Sequence, residues 1–293
     1  MRSSQSAHAV DVFTVWHNRS RYVNESLMSI IRQTFDDYRI IAVDDGSSDG
    51  TYDALCELIP VAARHDVELV VIRQNNQGFT KSLVGAISQY TDSNYIALHG
   101  AGDISLPERL EKQFHLHQLY DSSVVGAWVD VISVNGSVLT SRRNRFIQNR
   151  NINRFVIPRP GTHGAAMIDR NIYDRVGGYR AFFEYAQDSD LWIRASRESP
   201  IRNVQEVLYL KKRFEGCVGE DRDKSKLQRM YSTFAIQCEI ERERNCSWTP
   251  DLEEVGDVRN AVSQWLLFRR YLKSATFSPL SNIVRIVFRH FLR

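Results

Sequence analysis

The feature that most constrains this chain is an alternation running through its first third. Between Val10 and Ile104 lie four short apolar runs: VDVFTVW (Val10 to Trp16), RIIAVDD (Arg39 to Asp45), ELVVIRQ (Glu68 to Gln74) and NYIALHG (Asn94 to Gly100). The stretches between them carry apolar residues at helical spacing. Runs that are apolar at nearly every position suit strands buried on both faces, as inside a parallel sheet covered by helices. This βαβα order predicts an α/β protein with a doubly wound, mainly parallel sheet. Such sheets bind ligands in the crevice beyond the carboxyl ends of their strands. Here each run ends in polar residues: His17-Asn18-Arg19, Asp44-Asp45-Gly46, Asn75 to Gly78, and His99 to Asp103.

Further along, Pro107 to Tyr120 reads as a helix with proline in its first turn. VVGAWVDVI and SVLTSRR flank Asn135-Gly136, a hairpin signal. A small-residue run (Gly161 to Met167), the turn Gly177-Gly178 and the run QDSDLWIRAS follow. From Glu220 the pattern is helical and charged. The expected division is a catalytic domain over 8–217 and a helical extension over 218–293. A net charge of +3 gives no reason to expect nucleic acid as a partner. Cys56, Cys217, Cys238 and Cys246 are far apart and lack metal-ligand spacing, which suits reduced thiols in a cytoplasmic protein. Neither a signal-peptide run nor an apolar stretch of about 18 residues is visible.

Two acidic motifs stand out. In VDDGSSDGT, Asp44 and Asp45 end an apolar strand, where they can accept hydrogen bonds from a nucleobase N–H and from ribose hydroxyls. The plain alternative is a turn and helix cap built by Ser47, Ser48 or Asp49. Both hold together if Asp49 builds the turn while Asp45 faces the ligand. In QDSDLWIR, Asp190 is spaced to pair with Arg194 at i,i+4 or to cap the helix, and Asp188 points elsewhere.

The ordered series Asn18-Arg19, ESLMSIIRQTFDDYRIIAVDDGSSDGT, RQNNQGFTKSL, LPERLEKQ, THGAAMIDR, VGGYR and QDSDLWIR resembles the inverting family 2 glycosyltransferases of the GT-A fold. The resemblance covers Val10 to Gly216. It implies a GT-A-like domain that moves a sugar from a nucleotide-diphosphate donor to a hydroxyl acceptor. On this resemblance Val15, His17, Asn18, Asp44 and Asp45 hold the base and ribose, with Val15 and His17 departing from the usual Pro or Thr and Tyr. Lys81 stands near the diphosphate, or is a solvated helix lysine. His163 contacts the acceptor or the donor sugar, or is structural. Asp188 is the catalytic base, or a helix cap.

The resemblance further implies a divalent cation, magnesium or manganese, on the diphosphate. Gly100, Ala101 and Gly102 occupy the usual acidic positions, which leaves Asp103, with His99 as a supplementary ligand. Otherwise His99 caps the strand and Asp103 the helix. Positive charge without a cation would come from backbone N–H groups around Gly102, acting as an anion nest, and from Lys211-Lys212-Arg213. A glycan or lipid-linked acceptor of surface polysaccharide synthesis fits the basic amphipathic stretch in 261–293. There Arg285, Arg289 and Arg293 align on one helical stripe, to rest on the inner face of a membrane or to pack on protein. The alternative is a non-catalytic scaffold that has lost its cation site. A nucleotidyltransferase would need a glycine-rich basic loop after the first strand, which is missing.

Overall fold

The computed structural model describes residues 8–144, 160–214 and 222–244. Strands β1 (Val10–Trp16), β2 (Tyr38–Asp45), β3 (Glu68–Gln74) and β4 (Tyr95–Leu98) alternate with helices α1 (Ser20–Ile31), α2 (Thr51–Glu57), α3 (Ile59–Ala63) and α4 (Phe79–Tyr90). Successive residues of β1 serve opposite layers. Val10, Val12 and Trp16 pack with Leu27, Ile30 and Leu55 beneath α1 and α2, whereas Phe13 and Val15 pack with Leu83, Ile87 and Trp192. That double burial is why the strand is apolar throughout.

The second half adds β5 (Ile104–Ser105), α5 (Arg109–Leu119), β6 (Val124–Ile132), β7 (Val138–Arg142), β8 (Met167–Asp169), α6 (Arg170–Arg175), α7 (Gln187–Glu198), β9 (Ile201–Lys212) and α8 (Arg222–Arg244). Helix α5 starts two residues later than its proline suggests. The preceding backbone is already committed, since Leu106 N–H donates to Leu208 O and Pro107 O accepts from Thr34 N–H, both at 2.9 Å. The hairpin between β6 and β7 turns at Gly136, with φ 82°.

Strand order is β3-β2-β1-β4-β8-β6-β9-β5, with β7 on β6. The pairs β3–β2, β2–β1, β1–β4 and β6–β9 are parallel, while β8 is antiparallel to both neighbours. The chain runs outward from β1 to β3 and then returns to place β4 on the other side of β1. That reversal makes the carboxyl ends of β1 and β4 the topological switch point, where doubly wound sheets hold their ligands in a crevice. Helix α8 packs on the domain, burying Tyr231, Phe234 and Cys238 against Phe183, Ala186 and Ile193. No helix among the described residues is long and apolar enough to cross a membrane. The basic amphipathic stretch in 261–293 lies outside the described residues.

Candidate functional site

Asp45 is nearly fully buried at the end of β2, and its carboxylate is ringed by donors. Oδ1 accepts from Gln74 Nε2 (2.8 Å), Ser82 Oγ (2.8 Å) and Gln77 N–H (3.0 Å), and Oδ2 accepts from Gly78 N–H (3.0 Å). Burial alone would push its pKa up, but these bonds outweigh that and hold it below the usual carboxylate range. Asp45 therefore clamps the β3–α4 loop, a role the motif did not suggest. Its neighbour is different. Asp44 is fully buried, its Oδ2 accepts from Ser47 N–H at 3.3 Å, and Oδ1 has no partner among the described residues. Leaving a buried acceptor unpaired costs about 1–3 kcal/mol.

Asn18 joins this loop to the next one. With φ 52° it turns the chain out of β1, and its Oδ1 accepts from Ser48 N–H (2.9 Å) while its own N–H donates to Ser47 Oγ (2.9 Å). His17 is exposed, and its Nδ1 donates to the Asp45 carbonyl at 2.9 Å. Val15 is only 8% exposed within the sheet core, so its side chain packs instead of contacting a ligand. Asp49 builds the turn as expected, accepting from Thr51 N–H at 3.0 Å and from Ser20 N–H at 3.0 Å.

Across the crevice, residues 99–103 are stapled to β9. Asp103 Oδ2 accepts from Tyr209 Oη (2.9 Å) and Oδ1 from Lys212 N–H (3.0 Å); the Tyr209 hydroxyl itself accepts from Gly100 N–H (2.8 Å). Asp103 neither caps α5 nor opens toward a cation. Burial raises its pKa to about 6, opposed by Lys211, Tyr209 and the Lys212 N–H. His99 is buried with Nε2 donating to the Asp103 carbonyl (3.1 Å) and 2.9 Å from Ser26 Oγ. Burial, and then Arg109, hold it neutral. Two side chains so engaged do not make the expected cation pair, and no three His, Cys, Asp or Glu side chains converge among the described residues. The anion nest is likewise not formed. Gly102 N–H goes to Ser26 Oγ (3.2 Å) and Asp103 N–H to Gly100 O (2.9 Å). Gly102 instead keeps φ 95° under the Phe214 ring, whose Cε1 would lie 3.0 Å from an added Cβ.

The third part of the site is the start of α7. Asp188 is half-buried in its first turn, two residues after the N-cap Ala186, so it is not the cap. Oδ1 accepts from Ser189 N–H at 2.7 Å, and Oδ2 has no partner among the described residues. His163, in a short turn before β8, shares a 2.8 Å hydrogen bond with Tyr179 Oη and packs edge-on to Phe79, with ring centroids 5.6 Å apart. Burial lowers its pKa, with Asp188 acting to raise it and Lys211 to lower it. The room expected beside Gly164 is filled: an added Cβ would come within 2.3 Å of Tyr209 Oη. Asp190 forms the expected pair with Arg194 (2.6 Å) and also binds Arg180. Arg194 in turn donates to Gly178 O at 2.8 Å, which ties α7 to the glycine turn. Lys81 is exposed in the first turn of α4, and Arg213 is exposed just past β9. Ala186 has φ 56°, a left-handed conformation that costs a residue with a Cβ roughly 1–2 kcal/mol.

Sequence reasoning missed Tyr209, Tyr179, Phe79 and Ser26, and Phe214 stacked on Tyr22 with centroids 4.6 Å apart. No local pattern marks them, because each acts across the fold. Asp188 with one unpartnered oxygen, His163 whose titration it affects, and the acidic loop after β2 are the polar groups of this doubly wound α/β domain that stand out as a candidate site. The chain belongs to glycosyl transferase family 2, whose model matches residues 11–188. It is a glycosyltransferase. Putative glycosyltransferase EpsE of Bacillus subtilis is 31% identical over 215 residues, covering 70% of this chain and 73% of that protein. O-antigen biosynthesis glycosyltransferase WbnJ of Escherichia coli is 27% identical, covering 65% of this chain and 73% of that protein. Among solved structures, S. aureus TarS 1-349 in complex with UDP-GlcNAc matches with a TM-score of 0.59 at 16% identity, covering 84% of this chain and 75% of that one. The chain spans 44% of the longer TarS chain.

Proposed function

We propose that this glycosyltransferase inverts the anomeric centre as it moves a sugar from a nucleoside-diphosphate donor to a hydroxyl group, with Asp188 as general base. The observation that carries the reading is Asp188 itself: half-buried in the first turn of α7, with Oδ2 unpartnered among the described residues. The acceptor oxygen attacks the anomeric carbon from the face opposite the diphosphate. Its proton passes to Asp188 Oδ2 as the new bond forms, and the old bond's electron pair leaves on the phosphate oxygen.

The base and ribose rest against the loop that Asp44 and Asp45 open, with His17 and Asn18 forming the same wall. His163 and Tyr179 line the space beside Asp188 where sugar and acceptor meet. Lys81, Lys211 and Arg213 offset the charge that grows on the leaving diphosphate, and no step is assigned to a cation. The TarS complex with UDP-GlcNAc supports a nucleotide-sugar donor. The O-antigen relative supports a glycan or lipid-linked acceptor in surface polysaccharide synthesis. Residues 8–217 form the catalytic domain. A cytoplasmic site, with 261–293 resting on the inner membrane face, suits a lipid-linked acceptor.

The test is Asp188→Asn, assayed for nucleoside diphosphate release from UDP-, GDP-, CDP- and dTDP-sugars with a hydroxyl acceptor. Turnover falls roughly 10²–10⁴-fold, the usual contribution of a positioned base, while nucleoside diphosphates still raise the melting temperature. Wild-type turnover in that variant would remove Asp188 from the chemistry.

A further inference from the structure

Helix α8 lies beyond the residues matched by the family model, and the transfer step does not use it. Its buried residues Tyr231, Phe234, Ala235 and Cys238 fall at i, i+3, i+4 and i+7, on one helical face. That face covers residues 182–186, the segment that delivers the chain to Asp188. The Phe234 ring lies 6.0 Å from Phe182 and 6.1 Å from Phe183, and Tyr231 lies 6.1 Å from Phe183 and 6.0 Å from Tyr185. On another side of the segment, Thr80 of α4 donates to the Phe183 carbonyl at 3.1 Å. Ser232 Oγ lies 3.4 Å from the hydroxyl of Ser189, the residue whose N–H holds Asp188 Oδ1.

The segment ends at Ala186, which is left-handed and only 2% exposed within the same aromatic cluster. A residue with a Cβ keeps that conformation only when its surroundings over-determine it. Its carbonyl accepts the Asp190 N–H at 3.1 Å, so Ala186 sets where α7 begins.

We propose that α8 is a positioning element for Asp188: its aromatic face holds 182–186 so that Ala186 stays left-handed and the carboxylate meets the crevice. This rests on Asp188 as base. None of the nucleotide contacts proposed above lies on α8, so disturbing α8 must separate turnover from binding.

In the full chain, Phe234→Ala lowers kcat by roughly 10- to 100-fold, the scale of a displacement of about 1 Å at a reacting group. The donor KM and UDP or GDP affinity by calorimetry stay within about twofold, because no nucleotide contact is lost. Adding Ala186→Gly recovers part of kcat, since glycine adopts the left-handed conformation without steric cost. Phe234→Leu keeps apolar volume and shows the same split at about threefold, which gives the answer if Phe234→Ala does not fold. An unchanged kcat in both Phe234 variants, or loss of nucleotide affinity in step with kcat, overturns the proposal. Asp188→Asn is measured alongside. If it retains turnover, the base assignment fails; if it is dead while the Phe234 variants are normal, only the role of α8 fails.

Discussion

Asp45 ends strand β2, Asp188 opens helix α7, and the two carboxylates are built in opposite ways. Asp45 accepts from Gln74, Gln77 and Ser82 on Oδ1 and from Gly78 on Oδ2. Asp188 accepts only from its neighbour Ser189 and keeps an oxygen uncommitted. A carboxylate engaged by four donors organises a loop. A half-committed one can take a proton. Their backbones differ in the same sense: Asp45 ends a regular parallel strand, whereas Asp188 follows a strained alanine held by aromatic rings. Acidic residues at a ligand edge are thus not interchangeable, and their hydrogen-bond occupancy separates support from chemistry.

The largest effect that sharpens this contrast belongs to Asp190, the structural companion of Asp188. It is 1% exposed and pairs with Arg180 and Arg194. Removing one partner from a buried ionic group costs about 3–5 kcal/mol, so Asp190→Ala is expected to lose that much stability in urea denaturation. A loss below about 1 kcal/mol, the scale of an exposed pair, would break the assignment. Next comes Asp45→Asn, which turns an amide N–H toward existing donors. It is expected to cost about 2–3 kcal/mol, the scale of losing charged hydrogen bonds. Amide exchange should quicken at Gln77 and Gly78. Protection unchanged at those amides would return Asp45 to the list of ligand contacts.

The smallest effect is pH-dependent and sets Asp103 against Asp45. Asp103 is raised from 3.8 to about 6 by burial, so in that window the folded chain holds a proton that the unfolded chain has released. Its contribution to stability therefore falls as pH rises from near 4 to 6, by about 2 kcal/mol. Asp45 runs the other way: its lowered value gives stability that is present above 3.8 and lost as pH falls through the folded pKa. Urea midpoints of wild type and Asp103→Asn at pH 4 and pH 7 separate the two. The variant gains on wild type at the higher pH, and a gap that does not move with pH would contradict the raised value.

The backbone plan was readable before any coordinates. Apolar runs marked β1, β3 and β6 to the residue, because burial on both faces leaves its record in consecutive side chains. Asp190 and Arg194, four apart on a helix, were legible for the same local reason. Residues 99–103 were not. Asp103 is held by Tyr209, 106 positions away, and Lys212, 109 positions away, so its reading as a cation ligand or helix cap could not survive the closing of β9 against β5.

The sequence by itself determined the alternation of strands and helices, the crevice edge and the acidic residues placed along it, because each of these follows from neighbours a few positions apart. Tertiary structure alone decided that Asp45 holds the β3–α4 loop, that Asp188 keeps Oδ2 unpartnered among the described residues, and that α8 bears on the segment before Asp188. Hydrogen-bond occupancy depends on which distant groups the packed chain brings within about 3 Å, and spacing along the chain does not encode that.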